Sequence, residues 1–399
     1  MDKIKEKRIL FLSSRLPYPP VGGDRLKNYW LLGILAKHFN VHLVSIAEEN
    51  VPFEFYKWAN SVGITYKIFK KKKLNFYFNA FKSLTNDLPL QVNYYFFSDI
   101  KNYVNSIYKN YDLIFATLVR TAKYVMDINK PKILDMADSI GLNYLRSSNN
   151  SSSILWKFIY KFEADRLLQF EKKCIDAFDK TLFFNKKERE FFNRPEKTEW
   201  IPHGVNEKLL EYNNFDKKYR NWVVFFGKMN YQPNIDAVLW FTKNVLSKLN
   251  KNLKFAIVGA HPSKKILKLG ERYNNIEVTG FVEDPYIILR SALCVVAPMQ
   301  TGGGIQNKIL ESMAVGAINI VSSLAASPIG GKNMRDFIIE DDPRELAQII
   351  NDIYYNPTKY NYIRKQAREF IKNNFTWSIY EERLLSIINE ILNTTHGEI

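Results

Sequence analysis

The run Pro298-Met299-Gln300-Thr301-Gly302-Gly303-Gly304-Ile305-Gln306-Asn307-Lys308-Ile309-Leu310-Glu311 holds the residue types from which an anion site is made. An apolar strand is expected to end at Pro298, and three glycines then expose successive backbone N–H groups. A helix is expected from about Ile305, so Ile305, Gln306 and Asn307 supply free N–H groups and the positive dipole end. Lys308 adds a full charge one turn in. Glu311 falls near one further turn, on roughly the same face. A carboxylate beside a phosphate would repel it, so Glu311 suits another part of the ligand, such as a ribose diol. The plainer alternative is a solvent-facing ion pair between Lys308 and Glu311.

A second glycine-bearing loop, Pro17-Tyr18-Pro19-Pro20-Val21-Gly22-Gly23-Asp24-Arg25, follows the first expected strand and opens a helix. Gly22 and Gly23 allow close approach of a ligand or simply make a tight turn. Asp24 can cap the helix, and Arg25 adds positive charge near its start. No Gly-x-Gly-x-x-Gly is present, so this is not the dinucleotide fingerprint. Asp341-Asp342 before Pro343 reads as a helix cap rather than a metal motif. The two cysteines, Cys174 and Cys294, lie far apart and the five histidines do not cluster. That leaves no case for a disulfide scaffold or a cysteine zinc site, and it suits a reducing cytosol.

The net charge of +16 is uneven, with +12 in residues 1–200 and +4 in residues 201–399. A basic half implies an anionic partner. The densest cluster is Lys70-Lys71-Lys72-Lys73, with Phe76, Tyr77, Phe78 and Phe81 close behind and Tyr94-Tyr95-Phe96-Phe97 further on. Lysines beside exposed aromatics suit an anionic membrane surface, whereas aromatics turned inward would leave only a solvated loop. No zinc finger, basic heptad or aromatic RNA-binding strand accompanies the charge, so nucleic acid is not expected as a partner. The uncharged stretch Ser312–Gly331 is too rich in Ser, Asn, Gly and Pro for a bilayer helix. A soluble protein is the expectation.

The elements that must position these residues alternate almost throughout. Short apolar runs such as Trp222-Val223-Val224-Phe225-Phe226 are separated by amphipathic segments such as Asp24–His38 and Pro233–Leu249. That rhythm predicts parallel sheets covered by helices on both faces. Twelve strands are expected in two series, giving an α/β chain of two doubly wound Rossmann-like domains facing each other across a cleft. The expected divisions are 1–200 for an acceptor domain, 201–220 for a linker, 221–375 for a donor domain and 376–399 for a closing helix. Ligands in such sheets bind where the strand order reverses, at the carboxyl ends of the strands.

The segment Gly304–Gly316 resembles the donor-binding segment of the retaining glycosyltransferases of family 4, the glycosyl transferases group 1, which have the GT-B fold. Glu311-Ser312-Met313-Ala314-Val315-Gly316 is similar to that family's Glu-Ala-Met-Ala-x-Gly, whose Glu holds the nucleotide ribose. Gly227-Lys228-Met229-Asn230-Tyr231-Gln232-Pro233-Asn234 resembles the loop that opens the second domain in a subgroup of polysaccharide-cluster sugar transferases. Ile201-Pro202-His203-Gly204-Val205 is similar to the interdomain element, and Phe375-Thr376-Trp377 to the start of the closing helix. Gly280-Phe281-Val282-Glu283-Asp284 resembles the loop beside the nucleobase, which places Phe281 and Val282 at the donor.

The resemblance implies transfer of a sugar from a nucleotide-sugar donor to a glycan or lipid-linked acceptor, with retention, no metal and no separate cofactor. It also implies a cytoplasmic enzyme of cell-surface polysaccharide synthesis, peripheral on the inner face of the membrane if its acceptor is lipid-linked. Lys308 and Lys228 would stabilise the leaving diphosphate. Asp138, at a strand's carboxyl end, would orient the acceptor hydroxyl or stabilise a cationic sugar, or else cap the following helix. Gly22, Gly23 and Arg25 would serve the acceptor side or a phosphate. Four positions depart from the family pattern. Gly303 stands where a first glutamate is usual, Lys228 and Asn234 where Arg and Lys are usual, and His203 where Asn is commoner. A nucleotide-sugar epimerase of the same fold, or a catalytically silent binding protein, are the alternatives.

Overall fold

The computed structural model describes residues 6–21, 23–150, 154–302 and 304–394. It divides into two compact units, residues 1–201 with 381–399, and residues 202–380. The first unit carries seven parallel strands: β1 (Arg8–Ser13), β2 (Asn40–Ala47), β3 (Thr65–Lys70), β4 (Leu113–Thr117), β5 (Lys132–Ala137), β6 (Lys180–Phe183) and β7 (Thr198–Trp200). Their order in the sheet is β3-β2-β1-β4-β5-β6-β7. The second unit carries β8 (Trp222–Phe226), β9 (Lys254–Val258), β10 (Ile276–Gly280), β11 (Cys294–Ala297), β12 (Asn319–Val321) and β13 (Ile338–Ile339), in the order β10-β9-β8-β11-β12-β13. Every pairing is parallel.

The two-sheet, doubly wound α/β architecture follows from the apolar runs. Ile9–Phe11, Leu113–Ala116 and Val223–Phe225 are fully buried, as strands covered on both faces must be. β7 was not among the expected strands because Thr198-Glu199-Trp200 is short and mixed in polarity, and an edge strand is covered less completely. Residues from Pro202 onward belong to the second unit, where Val205 and Leu209 enter its core. The C-terminal helix Trp377–Thr394 joins the first unit from Glu381, whose carboxylate meets Lys37 and His38 at 2.7 Å each. Asp342 caps the helix Pro343–Tyr355, accepting from the N–H groups of Arg344 and Glu345.

The basic, aromatic segment divides differently from expectation. Phe76 is fully buried, Tyr95 and Phe97 are buried, and all three pack in the first unit's core. Lys71 pairs with Asp99 and is neutralised, whereas Lys70 is exposed and donates to the neutral Asn50, which leaves its charge unmatched. The helix Lys73–Phe81 nevertheless turns Leu74, Tyr77, Phe78 and Phe81 outward, at the i, i+3, i+4, i+7 spacing of one face. No helix among the described residues is long and apolar enough to cross a membrane.

The helix Gly23–His38 is anchored to its sheet by charge. Lys27 forms a buried ion pair with Asp135 of β5, and its ammonium lies 3.7 Å from the Phe184 ring centre. Removing one partner strands a buried charge, at about 3–5 kcal/mol. Lys27→Met is therefore expected to destabilise the first unit by about that amount in urea unfolding. Lys27→Met combined with Asp135→Leu is expected to recover most of the loss, and equal losses in the single and double variants would disprove the pairing argument.

Candidate functional site

In the second sheet the strand order reverses between β8 and β11, and the loops after these two strands carry the sequence-predicted residues. Gly227 follows β8 with φ 148°, and Gly259 follows β9 with the same φ. A Cβ on Gly259 would lie 1.8 Å from the Gly227 carbonyl oxygen, so only glycine allows these strand ends to meet. A Cβ on Gly227 would press on Asn234 at 2.9 Å and on the Lys308 stem at 3.3 Å. Gly227, Asn234 and Lys308 therefore close on one point.

Lys308 donates to Asn234 Oδ1 at 2.5 Å and to Met299 Sδ at 3.3 Å, and its ammonium sits 4.5 Å from the Phe225 ring centre. Asn234 in turn donates to the Lys228 carbonyl at 2.9 Å. Part of the Lys308 side chain remains exposed, but no carboxylate among the described residues pairs with its ammonium, and burial pushes its pKa down to about 7. The helix begins at Asn307, with Gln306 at its N-cap, two residues later than expected. Ile305 and Gln306 thus lie in the approach to the helix, because the glycine loop continues one step further before the first hydrogen-bonded turn. Gly302 has φ 95°, and Gly303 lies outside the described residues.

Glu311 does not pair with Lys308. It accepts a hydrogen bond from Tyr286 at 3.4 Å, and burial raises its pKa to about 7, opposed by that bond. Tyr286 lies five residues past Phe281, just after the loop that follows β10. Asp284 ties the loop down by accepting from the Tyr286 N–H at 3.1 Å and from the Tyr212 hydroxyl. Phe281 is 77% exposed, while Val282 packs partly against the core. Lys308, Glu311, Gly302 and the loop from Gly227 are thus gathered at the carboxyl ends of β8 and β11. Tyr286 was not read from the sequence as a site residue, and Asn234 entered only as a departure from the usual Lys, since an amide and a phenol carry no charge pattern.

In the first unit the order reverses between β1 and β4. Gly22 lies outside the described residues. Gly23 opens the helix, and Asp24 sits in its first turn rather than capping it, accepting from the adjacent Arg25 N–H. Arg25 is half-buried. Asn28 bonds Ser13 and Thr117, tying this helix to β1 and β4. Asp138 does not cap the helix Ile140–Asn150: that cap is Ser139, whose hydroxyl accepts from the Leu142 N–H at 3.0 Å. Asp138 keeps one buried oxygen without a hydrogen-bond partner, and burial raises its pKa. Glu171 and Glu188, which sequence reading missed, accept from the N–H groups of Gly141 and Ser139 at the helix start. Burial pushes both carboxyls up to about 7.

Residues 220–356 match the family model described as glycosyl transferases group 1. An uncharacterized glycosyltransferase of Methanocaldococcus jannaschii is 22% identical over 201 residues, 47% of this chain and 50% of that protein. The match thus spans about half the length of that relative. Among solved structures, Anabaena HepE in complex with UDP superposes with TM-score 0.66 at 14% identity, covering 96% of this chain and 100% of that one. Sucrose-phosphate synthase of Thermosynechococcus elongatus gives 0.67 at 15%, covering 97% and 100%, and TarM gives 0.68 at 12%, covering 98% and 100%.

The Lys308 and Glu311 geometry sets opposite pH signatures on stability. Lys308 binds its proton less tightly folded than unfolded, so its penalty is full below pH 7 and fades between 7 and about 10.5. The Glu311 penalty is absent below about 4.5 and full above 7. Lys308→Met is expected to stabilise the second unit by about 2–4 kcal/mol at pH 6 and by less at pH 9.5. Glu311→Gln is expected to do the reverse, with about 2–3 kcal/mol at pH 9 and almost none at pH 4.5. Urea unfolding across pH checks both, and pH-independent effects would contradict the assignment.

By fold the chain is a GT-B protein of two parallel α/β units, and its residues 220–356 carry the sequence pattern of the glycosyl transferases group 1.

Proposed function

We propose that the protein is a glycosyltransferase that takes a sugar from a nucleoside-diphosphate sugar bound at the carboxyl ends of β8 and β11. The observation that carries this reading is the Lys308 ammonium, desolvated and without a carboxylate partner, beside a glycine loop and a helix start. Such a cation suits a leaving diphosphate, whose charge grows as the glycosidic bond breaks. Glu311, one turn on and held by Tyr286, suits the ribose diol, and the exposed Phe281 suits the face of a base. Lys228 is a further candidate for the phosphates. The matches to the glycosyl transferases group 1 and to a fold solved elsewhere with UDP and with UDP-glucose support the reading.

In the reaction the acceptor hydroxyl forms a bond to the anomeric carbon as the bond from that carbon to the diphosphate oxygen breaks. The acceptor proton passes to a phosphate oxygen. Attack on the leaving-group face gives retention and needs no protein nucleophile, as the resemblance to family 4 implies. Asp138, with a carboxylate oxygen left unsatisfied at the end of β5, is the candidate to orient the acceptor, a glycan or a lipid-linked one.

We propose in addition that the first unit docks on anionic membrane. The outward face of Leu74, Tyr77, Phe78 and Phe81 is flanked by Lys72, Lys73 and Lys82, and no acidic residue lies between Lys70 and Asn86. Lysines near such a surface contribute about 1 kcal/mol each, and inserted aromatics add a share that salt does not screen.

Three measurements test these readings. Incubation with a panel of nucleotide sugars is expected to release nucleoside diphosphate, faster with acceptor. Glu311→Ala is expected to weaken nucleoside diphosphate binding roughly 10- to 150-fold, the worth of a charge-assisted hydrogen bond. A changed sugar without release would indicate an epimerase, and unchanged affinity in calorimetry would remove the ribose role. For the membrane, co-sedimentation is expected with phosphatidylglycerol vesicles but not with phosphatidylcholine vesicles. Phe78→Ser with Phe81→Ser should abolish it, and no sedimentation at low salt would refute docking.

A further inference from the structure

Arg120 stands just past the carboxyl end of β4, and Arg15 in the loop that leaves β1, so both lie where the first sheet's order reverses. The chain reaches Arg120 through Leu118, whose φ of 61° and ψ of 151° belong to a region that side chains other than glycine rarely enter. Leu118 is held there by donating to the Asp135 carbonyl at 2.7 Å and accepting from the Thr121 N–H at 3.1 Å. Backbone strain of this kind persists where the surroundings enforce it, and it concentrates at ligand sites. Here it sets the position of one arginine.

The Arg120 side chain makes no hydrogen bond and no ion pair among the described residues. Its Nε is fully buried without a partner, and its guanidinium carbon lies 4.9 Å from the ring centre of the buried Tyr95. Burial pushes its pKa below the ordinary arginine value. Arg15 reaches the same ring at 5.9 Å and donates from Nε to the Tyr95 hydroxyl at 3.1 Å. The carboxylates that act on the pair are few. Asp24 lies 3.5 Å from Arg15 and acts on Arg120 from further away, Glu48 acts on Arg15 at longer range, and Tyr144 acts on Arg120 as a phenol. Two guanidinium groups thus converge on one ring with a single carboxylate at the edge of contact distance.

A partly buried cation with no partner is unfavourable until an anion joins it. The unpartnered Arg120 fork, with the Arg15 guanidinium beside the same ring and held only at long range by Asp24, matches the oxygens of a phosphoryl group, which can accept from both at once. We propose that Arg15 and Arg120 form a phosphoryl-binding subsite at the switch point of the first sheet. That the phosphoryl group is borne by the sugar acceptor rests on the glycosyltransferase reading, whereas the subsite itself does not.

The test uses the full chain carrying Lys308→Met, which silences the cation of the second unit. Inorganic phosphate and methyl phosphate are titrated by calorimetry and by thermal shift, with and without Arg120→Gln. Phosphate is expected to raise the melting temperature, and Arg120→Gln to weaken binding tenfold or more. Without phosphate, Arg120→Gln should melt close to its parent, because the replaced cation has no hydrogen-bond or ion-pair partner among the described residues and loses only its contact with the Tyr95 ring. Arg15→Lys keeps a charge but loses the fork, and its affinity should fall between the two. Methyl phosphate binding as tightly as inorganic phosphate assigns the subsite to a phosphate ester, and a preference for inorganic phosphate assigns it to the free ion. Equal phosphate affinity with and without Arg120→Gln would overturn the proposal, as would no binding at all. Nucleoside diphosphate binding by the chain with Lys308 intact is read separately, so failure of the glycosyltransferase reading leaves this test standing.

Discussion

One lysine charge that the protein leaves unmatched organises the second unit. The Lys308 ammonium is lodged against Phe225 and Met299 with an amide oxygen as its polar partner. That position exists because Gly227 has no side chain to press on the Lys308 stem, and because Asn234 holds both the ammonium and the Lys228 carbonyl. The glycines at the ends of β8 and β9, the first turn of the helix from Gln232 and the helix from Asn307 all converge on this arrangement. A core selected for stability alone would hold a methionine or leucine here. A desolvated cation open on one side is instead what an electrostatic site requires before its anion arrives.

How much of this was legible in the sequence depends on the distance between partners. The strand rhythm was legible because parallel strands buried on both faces are written as local apolar runs. Lys308 and Glu311 were legible because they sit three residues apart behind glycines. Their actual partners, Asn234 and Tyr286, lie 74 and 25 residues away, and no local pattern announces either. The same holds for Ser139, which takes the cap expected of Asp138, and for Glu171 and Glu188, which reach it from distant helices. The facing of the helix Lys73–Phe81 was also beyond the sequence. A stripe at i, i+3, i+4, i+7 normally marks the inner face, but here Phe76 and Asn79 fill that role and the stripe points outward.

The two sheets use one principle at their reversal points with different means. In the second, glycines at the strand ends admit a lysine and a helix start. In the first, Leu118 is forced into a glycine-like conformation and delivers an arginine instead. Each point therefore ends in a cation with no carboxylate bonded to it among the described residues. The first unit does bury carboxylates nearby, but Glu171 and Glu188 are spent on the start of the helix Ile140–Asn150, where the backbone N–H groups stabilise them.

Lys308 and Glu311 share a further property that follows from their opposite shifts. Burial brings the lysine down and the carboxyl up, so both titrate at about 7. A diphosphate beside Lys308 would favour its protonated form, and a diol donating to Glu311 would favour its ionised form. A nucleotide engaging both would thus draw a proton onto one group and release one from the other. The two changes oppose each other in the overall proton balance, so a ligand engaging both would leave both charged near neutral pH with little net proton exchange. Neither side chain alone would allow this, since a lone desolvated lysine favours acid and a lone desolvated carboxyl favours base. Holding the two one turn apart on a single helix, each with a neutral partner rather than with each other, is what keeps both charges available to the ligand.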